Sequence, residues 1–94
     1  MSEETDVMLV PRFAAGVKLR FDDVRARWVL LAPERMFVPD EQAVAVLRLI
    51  DGERSVAGIV ENLVAAYHAP RELIAADVAA LLLELSQRKA LRLR

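Results

Sequence analysis

Val56, Ile59, Val60, Leu63, Val64 and Tyr67 recur three and four residues apart, which sets them on one face of an α-helix and commits that face to burial. Ser55 precedes the run as an N-cap residue, able to accept a hydrogen bond from a backbone N–H of the first turn. A second helix follows after a short turn at His68-Ala69-Pro70, with Pro70 suited to its first position and Ile74, Val78, Leu81 and Leu85 as its buried line. A preceding helix should start after Pro39, with Asp40 as N-cap and Glu41 in the first turn, and run to about Ile50, where Asp51-Gly52 stops it. Gly58 sits inside the middle helix, where glycine costs about 1 kcal/mol relative to alanine; a close helix crossing there would explain it.

The residues before Pro39 follow a different period. Val17-Lys18-Leu19-Arg20-Phe21 alternates apolar and basic, as a strand with one face on a core must. Asp22-Asp23 opens a turn, and Trp28-Val29-Leu30-Leu31-Ala32 is a second strand, ended by Pro33. A third short strand, Arg35 to Val38, lies between two prolines and therefore belongs at an edge. The expected class is α+β: a three-stranded N-terminal antiparallel sheet followed by a three-helix bundle, a layout like a winged helix-turn-helix. Residues 1–11 read as a flexible tail and 12–94 as one domain.

Composition narrows the chemistry. There are no cysteines and one histidine, His68, so thiolate, iron–sulfur and transition-metal sites lack ligands; neither a metal nor a cofactor is expected. His68 at a helix C-terminus suits the dipole better than it suits a nucleophile dyad. The carboxylate pairs Asp22-Asp23 and Asp40-Glu41 fall at a turn and a helix start, solvated places where acids bond locally, so no catalytic set is read from them. Gly16, Gly52 and Gly58 are too scattered for a phosphate loop. The longest apolar run, Val78 to Leu83, is far short of a membrane span, and the acidic N-terminus lacks the form of a secretory signal, so a cytoplasmic location fits.

Charge disfavours a nucleic-acid partner. Residues 1–39 carry six acidic and six basic side chains and residues 40–94 eight and seven. In the last helix Arg71, Arg88 and Lys89 face Glu72, Asp77 and Glu84, whereas a recognition helix normally brings an excess of cations to phosphates. A peptide partner is better supported. Met36, Phe37 and Val38 are consecutive apolar residues on a short strand, so both strand faces are apolar while only one can meet the core. With 55% hydrophobic residues in 94, some apolar surface is left for a partner, whether a peptide or a second copy forming a homodimer.

Three segments occur in order: Trp28-Val29-Leu30-Leu31-Ala32-Pro33-Glu34-Arg35, then Asp51-Gly52-Glu53-Arg54-Ser55-Val56, then Asp77-Val78-x-x-Leu81-Leu82-x-x-Leu85. Together they resemble the PqqD family, the peptide-binding proteins of pyrroloquinoline quinone biosynthesis, over about Arg12 to Leu91. The resemblance implies a non-enzymatic adaptor, a peptide chaperone that binds the precursor peptide PqqA and presents it to the radical SAM enzyme PqqE, which joins a glutamate and a tyrosine of that peptide. It also implies that the leader adds as an antiparallel strand on the third strand, against the third helix. Carried to this chain, the groove walls are Arg35, Met36, Phe37 and Val38 on one side and Leu73, Asp77, Leu81 and Glu84 on the other. The rival readings are a winged-helix DNA-binding protein and a purely structural subunit of the enzyme complex. Lys89-Ala90 stands where the family usually has a glycine, which leaves open the end of the third helix and a strand over Leu91–Arg94.

Overall fold

In the computed structural model, which describes residues 7–93, the chain orders itself as four strands, three helices and a last strand. These are β1 (Pro11–Phe13), β2 (Lys18–Asp22), β3 (Arg27–Ala32), β4 (Arg35–Phe37), α1 (Glu41–Leu47), α2 (Val56–Tyr67), α3 (Arg71–Gln87) and β5 (Leu91–Leu93). The three-stranded antiparallel sheet β2-β3-β4 is the expected one. A second, two-stranded sheet pairs β1 with β5 antiparallel, Pro11 opposite Leu93 and Phe13 opposite Leu91, and had no counterpart among the strands expected before Val17. Of the flexible tail expected over 1–11, residues 1–6 lie outside the described residues; the carbonyls of Leu9 and Val7 accept from the N–H groups of Val56 and Ala57 at 2.9 Å each, and Pro11 is buried in β1.

Register decides which face of the main sheet meets the core. Leu19 opposes Leu30 and Leu30 opposes Phe37, while Lys18 opposes Leu31 and Leu31 opposes Met36. Directly opposed residues share a face. The Leu19-Leu30-Phe37 row therefore turns inward, where Leu30 is buried and the other two pack on the core, and Met36 points outward at 51% exposed. Two tight turns hold this register. Asp22 accepts from the N–H groups of Val24 and Arg25 between β2 and β3, and Pro33-Glu34 joins β3 to β4 with Glu34 in the left-handed region at φ 66°. The Ala-Pro-Glu-Arg segment is thus a hairpin turn.

The helices follow their caps. Asp40 accepts from Ala43 N–H at 2.8 Å and Ser55 from Gly58 N–H at 3.1 Å. α1 closes at Leu47, and three-residue bonds from Leu49 and Ile50 carry the coil on to Ile50, where Gly52 turns the chain at φ 79°. Pro70 is the N-cap of α3 and not its first residue. α3 stops at Gln87 without a glycine because Lys89 itself takes φ 65° and Ala90 N–H reaches back to Leu85 at 2.8 Å; that leaves Leu91 free to enter β5. From α2 the core takes Val56, Ile59, Val60 and Leu63, and from α3 Val78, Leu82 and Leu85. Leu82 is fully buried where the expected line had Leu81, and Tyr67 is 63% exposed. The close crossing expected at Gly58 is absent: a Cβ there would meet only Ser55 Oγ at 3.6 Å and Arg54 Cβ at 3.9 Å, both from its own helix start. No helix among the described residues is long and apolar enough to cross a membrane.

Candidate peptide-binding cleft

β4 is the edge of its sheet: β3 pairs one side, and no strand among the described residues pairs the other. The chain after it, Val38-Pro39, forms no ladder and leads into α1. Between this edge, α1 and the C-terminal half of α3 opens a cleft of about 480 Å³. Its floor is buried Leu30, Leu47 and Leu85; Met36, Phe37, Val38, Leu81 and Glu84 line its walls. Five of the eight residues expected to contact a peptide therefore converge here. Met36 and Val38 are each about half exposed, at 51% and 52%, while Phe37 is half-buried against the core.

Arg35 lies at the end of the cleft. Its guanidinium donates to the backbone carbonyl of Arg88 and lies 5.3 Å from the centre of the Phe37 ring, with the Arg88 guanidinium at 5.9 Å from the same ring. Arg88 in turn pairs with Glu84 at 3.3 Å. Both cations sit against the electron-rich ring, and Arg35 meets a carbonyl at the negative end of the α3 dipole. Arg88 was not among the expected residues. Its signal was available: it stands four residues after Glu84 and seven after Leu81, on the same helical face.

Leu73 and Asp77 share that face of α3 but line a different cavity. It has a volume of about 400 Å³, lies between α1, α2 and the N-terminal half of α3, and is also lined by Glu41, Val46, Leu63 and Tyr67. The cleft at β4 thus gathers Met36, Phe37, Val38, Leu81 and Glu84, and the other two expected α3 residues belong to its neighbour. No group of three or more histidines, cysteines or carboxylates able to hold a metal ion occurs among the described residues. What the arrangement offers chemically is an unpaired strand edge beside apolar side chains, a surface suited to an extended backbone.

Comparison with known proteins converges on one family. Residues 27–91 match the family described as Coenzyme PQQ synthesis protein D (PqqD). A PqqA binding protein of Rhodopseudomonas palustris (strain HaA2) is 51% identical over 88 residues, which cover 94% of this chain and 82% of that one. The bifunctional coenzyme PQQ synthesis protein C/D of Methylorubrum extorquens is 49% identical over 82 residues, 87% of this chain and 22% of that longer protein. Among solved structures, the solution NMR structure of the PqqD truncation of Methylobacterium extorquens PqqCD, a stand-alone recognition element for ribosomally synthesized and post-translationally modified peptides, superposes with a TM-score of 0.75 at 48% identity, covering 88% of each chain. Lasso peptide synthetase B1 complexed with its leader peptide gives a TM-score of 0.75 at 19% identity over 88% of this chain and 98% of that one, a likeness of fold alone.

Proposed function

Because this chain belongs to the PqqD family, we propose that it is a peptide-binding module of coenzyme PQQ biosynthesis that captures the precursor peptide PqqA in the cleft between β4 and α3 and presents it to PqqE. The observation that carries this reading is the open edge of β4 with half-exposed Met36 and Val38 facing Leu81 and Glu84 across the cleft. The relatives are binding proteins and recognition elements by name, which agrees with a protein that performs no chemistry by itself; a cytoplasmic location is part of the same proposal. A winged-helix-like layout would then serve a peptide and not DNA: α3 and its C-terminal turn carry Arg71, Arg88 and Lys89 against Glu72, Asp77 and Glu84, without the excess of cations that binding to phosphates needs.

Magnitudes show why the edge needs the cleft. Four ladder hydrogen bonds at a net ~1 kcal/mol each supply about 4 kcal/mol, whereas micromolar affinity requires about 8. Two or three leucine-sized side chains buried against Phe37, Leu81 and Leu85 at about 1.5–3 kcal/mol each close that gap and offset part of the cost of ordering the peptide. Arg35, Met36, Phe37, Val38, Leu81 and Glu84 are the proposed contacts of the strand-forming segment. The same edge is where a second copy of the chain would pair; a homodimer of this kind would dissociate as peptide binds.

Calorimetry of the purified protein with synthetic PqqA tests the proposal. Saturable one-to-one binding is expected. Absence of heat and of any spectral change at high peptide concentration would remove the peptide reading, and modified peptide formed without PqqE would remove the adaptor reading.

A further inference from the structure

The cavity between α1, α2 and α3 takes no part in strand addition, since no β4 residue lines it. Its floor is apolar: Val46 and Leu63 are buried and Ile74 is partly so, while Leu73 and Tyr67 stand at its mouth, 57% and 63% exposed. The charged residues lining it are Glu41 and Asp77, and no lysine or arginine is among its lining residues. Neither carboxylate is held in an ion pair among the described residues, in contrast to Asp22, Asp51, Glu61 and Glu84. An apolar hollow rimmed by two carboxylates that have no ion-pair partner among the described residues complements an apolar side chain that has a positive charge next to it.

The cavity adjoins the cleft along α1 and α3 without sharing a lining residue with it. Asp40 lines one and Glu41 the other, and Asp77 and Leu81, one helical turn apart, stand on either side of the divide. A peptide that paired with β4 and continued past Val38 along α3 would come to its mouth. Leu81 and Leu73 are eight residues apart on α3, about 12 Å at a helical rise of ~1.5 Å per residue, which about four residues of extended chain would span.

We propose that this cavity is a second subsite for the same peptide: the flank that passes Val38 sets an apolar side chain against Val46, Leu63 and Ile74, with a lysine, arginine or free amino terminus beside Glu41 and Asp77. The proposal rests on the peptide-binding reading above and adds a recognition element to it. It makes the strand segment a central anchor and the charged flank a selector, because a peptide with an acidic residue in that flank would meet two carboxylates at close range.

The experiment is an NMR titration of isotope-labelled protein with full-length synthetic PqqA and with two shortened PqqA peptides, each lacking residues from one end. The full peptide should move the amides of Arg35–Phe37 and also those of Glu41–Val46, Tyr67 and Leu73. One shortened peptide should lose the second set and keep the first. The double variant Glu41→Lys with Asp77→Lys should bind full-length PqqA about tenfold more weakly at low salt, with the gap narrowing at high salt. Leu73→Arg, at an exposed position, should show the same weakening and supplies the measurement if the double variant does not fold. Shifts confined to β4 and the C-terminal half of α3, with both variants binding normally, would overturn the subsite and leave the peptide reading intact. No shifts anywhere would overturn both.

Discussion

The guanidinium of Arg35 donates to the main-chain carbonyl of Arg88, so a side chain from the edge strand closes the C-terminal end of the helix that faces it across the cleft. This contact bridges the two cleft walls at one end and satisfies a carbonyl that the helix leaves without an internal partner. Replacing Arg35 with alanine should lower the unfolding free energy by about 0.5–1.5 kcal/mol, the net worth of such a bond, and speed hydrogen exchange at Ala90 and Leu91, which follow the freed helix end. Urea denaturation and exchange measured on the same sample check both.

Met36 and Phe37 should separate binding from folding. Met36 points out from the sheet and Phe37 inward, opposite buried Leu30. Met36→Asp and Val38→Asp, at half-exposed positions, should weaken PqqA binding by about 2 kcal/mol while leaving the thermal transition nearly unchanged. Phe37→Asp should instead destabilise the domain by about 2 kcal/mol or more, since a charge would replace a ring that packs on the core and would remove the ring's contacts with two guanidiniums. Paired calorimetry and thermal melts distinguish the two behaviours.

Two glycines should respond to alanine with opposite signs. Gly16 has φ 79° and an added Cβ would stand 3.1 Å from Pro33 Cγ; Gly16→Ala should cost about 1–2 kcal/mol through the left-handed backbone alone. Gly58 lies in α2 with ordinary contact distances around its missing Cβ. Gly58→Ala should raise stability by about 0.5–1 kcal/mol. Denaturant midpoints of the two variants, measured against the parent, test the pair.

Acid should remove a defined part of the stability. The Asp51 carboxyl is held below its ordinary value of 3.8 chiefly by the N–H of Arg54 and then that of Glu53, and the Asp22 carboxyl chiefly by the N–H of Arg25. A carboxylate with a lowered folded-state pKa contributes stability that is fully present above its unfolded value and disappears as pH falls through the folded one. Stability should therefore decline below the ordinary carboxylate range. The double variant Asp22→Asn with Asp51→Asn should show a shallower decline from neutral pH to about pH 3 in urea titrations.

Much of this fold is written locally. The period-two run through Lys18 to Phe21, the stripe from Val56 to Tyr67, and the caps Asp40 and Ser55 each depend on neighbours within a few residues, and each reappears in place. The β1–β5 sheet was not legible before Val17 because Pro11-Arg12-Phe13 is too short for a period and its partner lies at the far end of the described chain. On α3 the sequence identified the right face but not where the face is divided: Leu81 and Glu84 reach β4, while Leu73 and Asp77 stand beyond it against α1 and α2. That division depends on where α1 crosses, which no local pattern states. Lys89 in the left-handed region likewise shows no signal, since glycine or asparagine would ordinarily mark such a stop.

The pairing of Pro11–Phe13 with Leu91–Leu93 has a consequence in time. It is a clasp of three residues a side whose closure must bring together segments about eighty positions apart, a loop whose entropic cost grows as the logarithm of its length. The hairpin β2-β3 needs no such closure, so the clasp should form after it during folding. Since Leu91 lies three residues after Arg88, whose carbonyl Arg35 holds, opening of the clasp should loosen the same end of the cleft and weaken peptide binding with it.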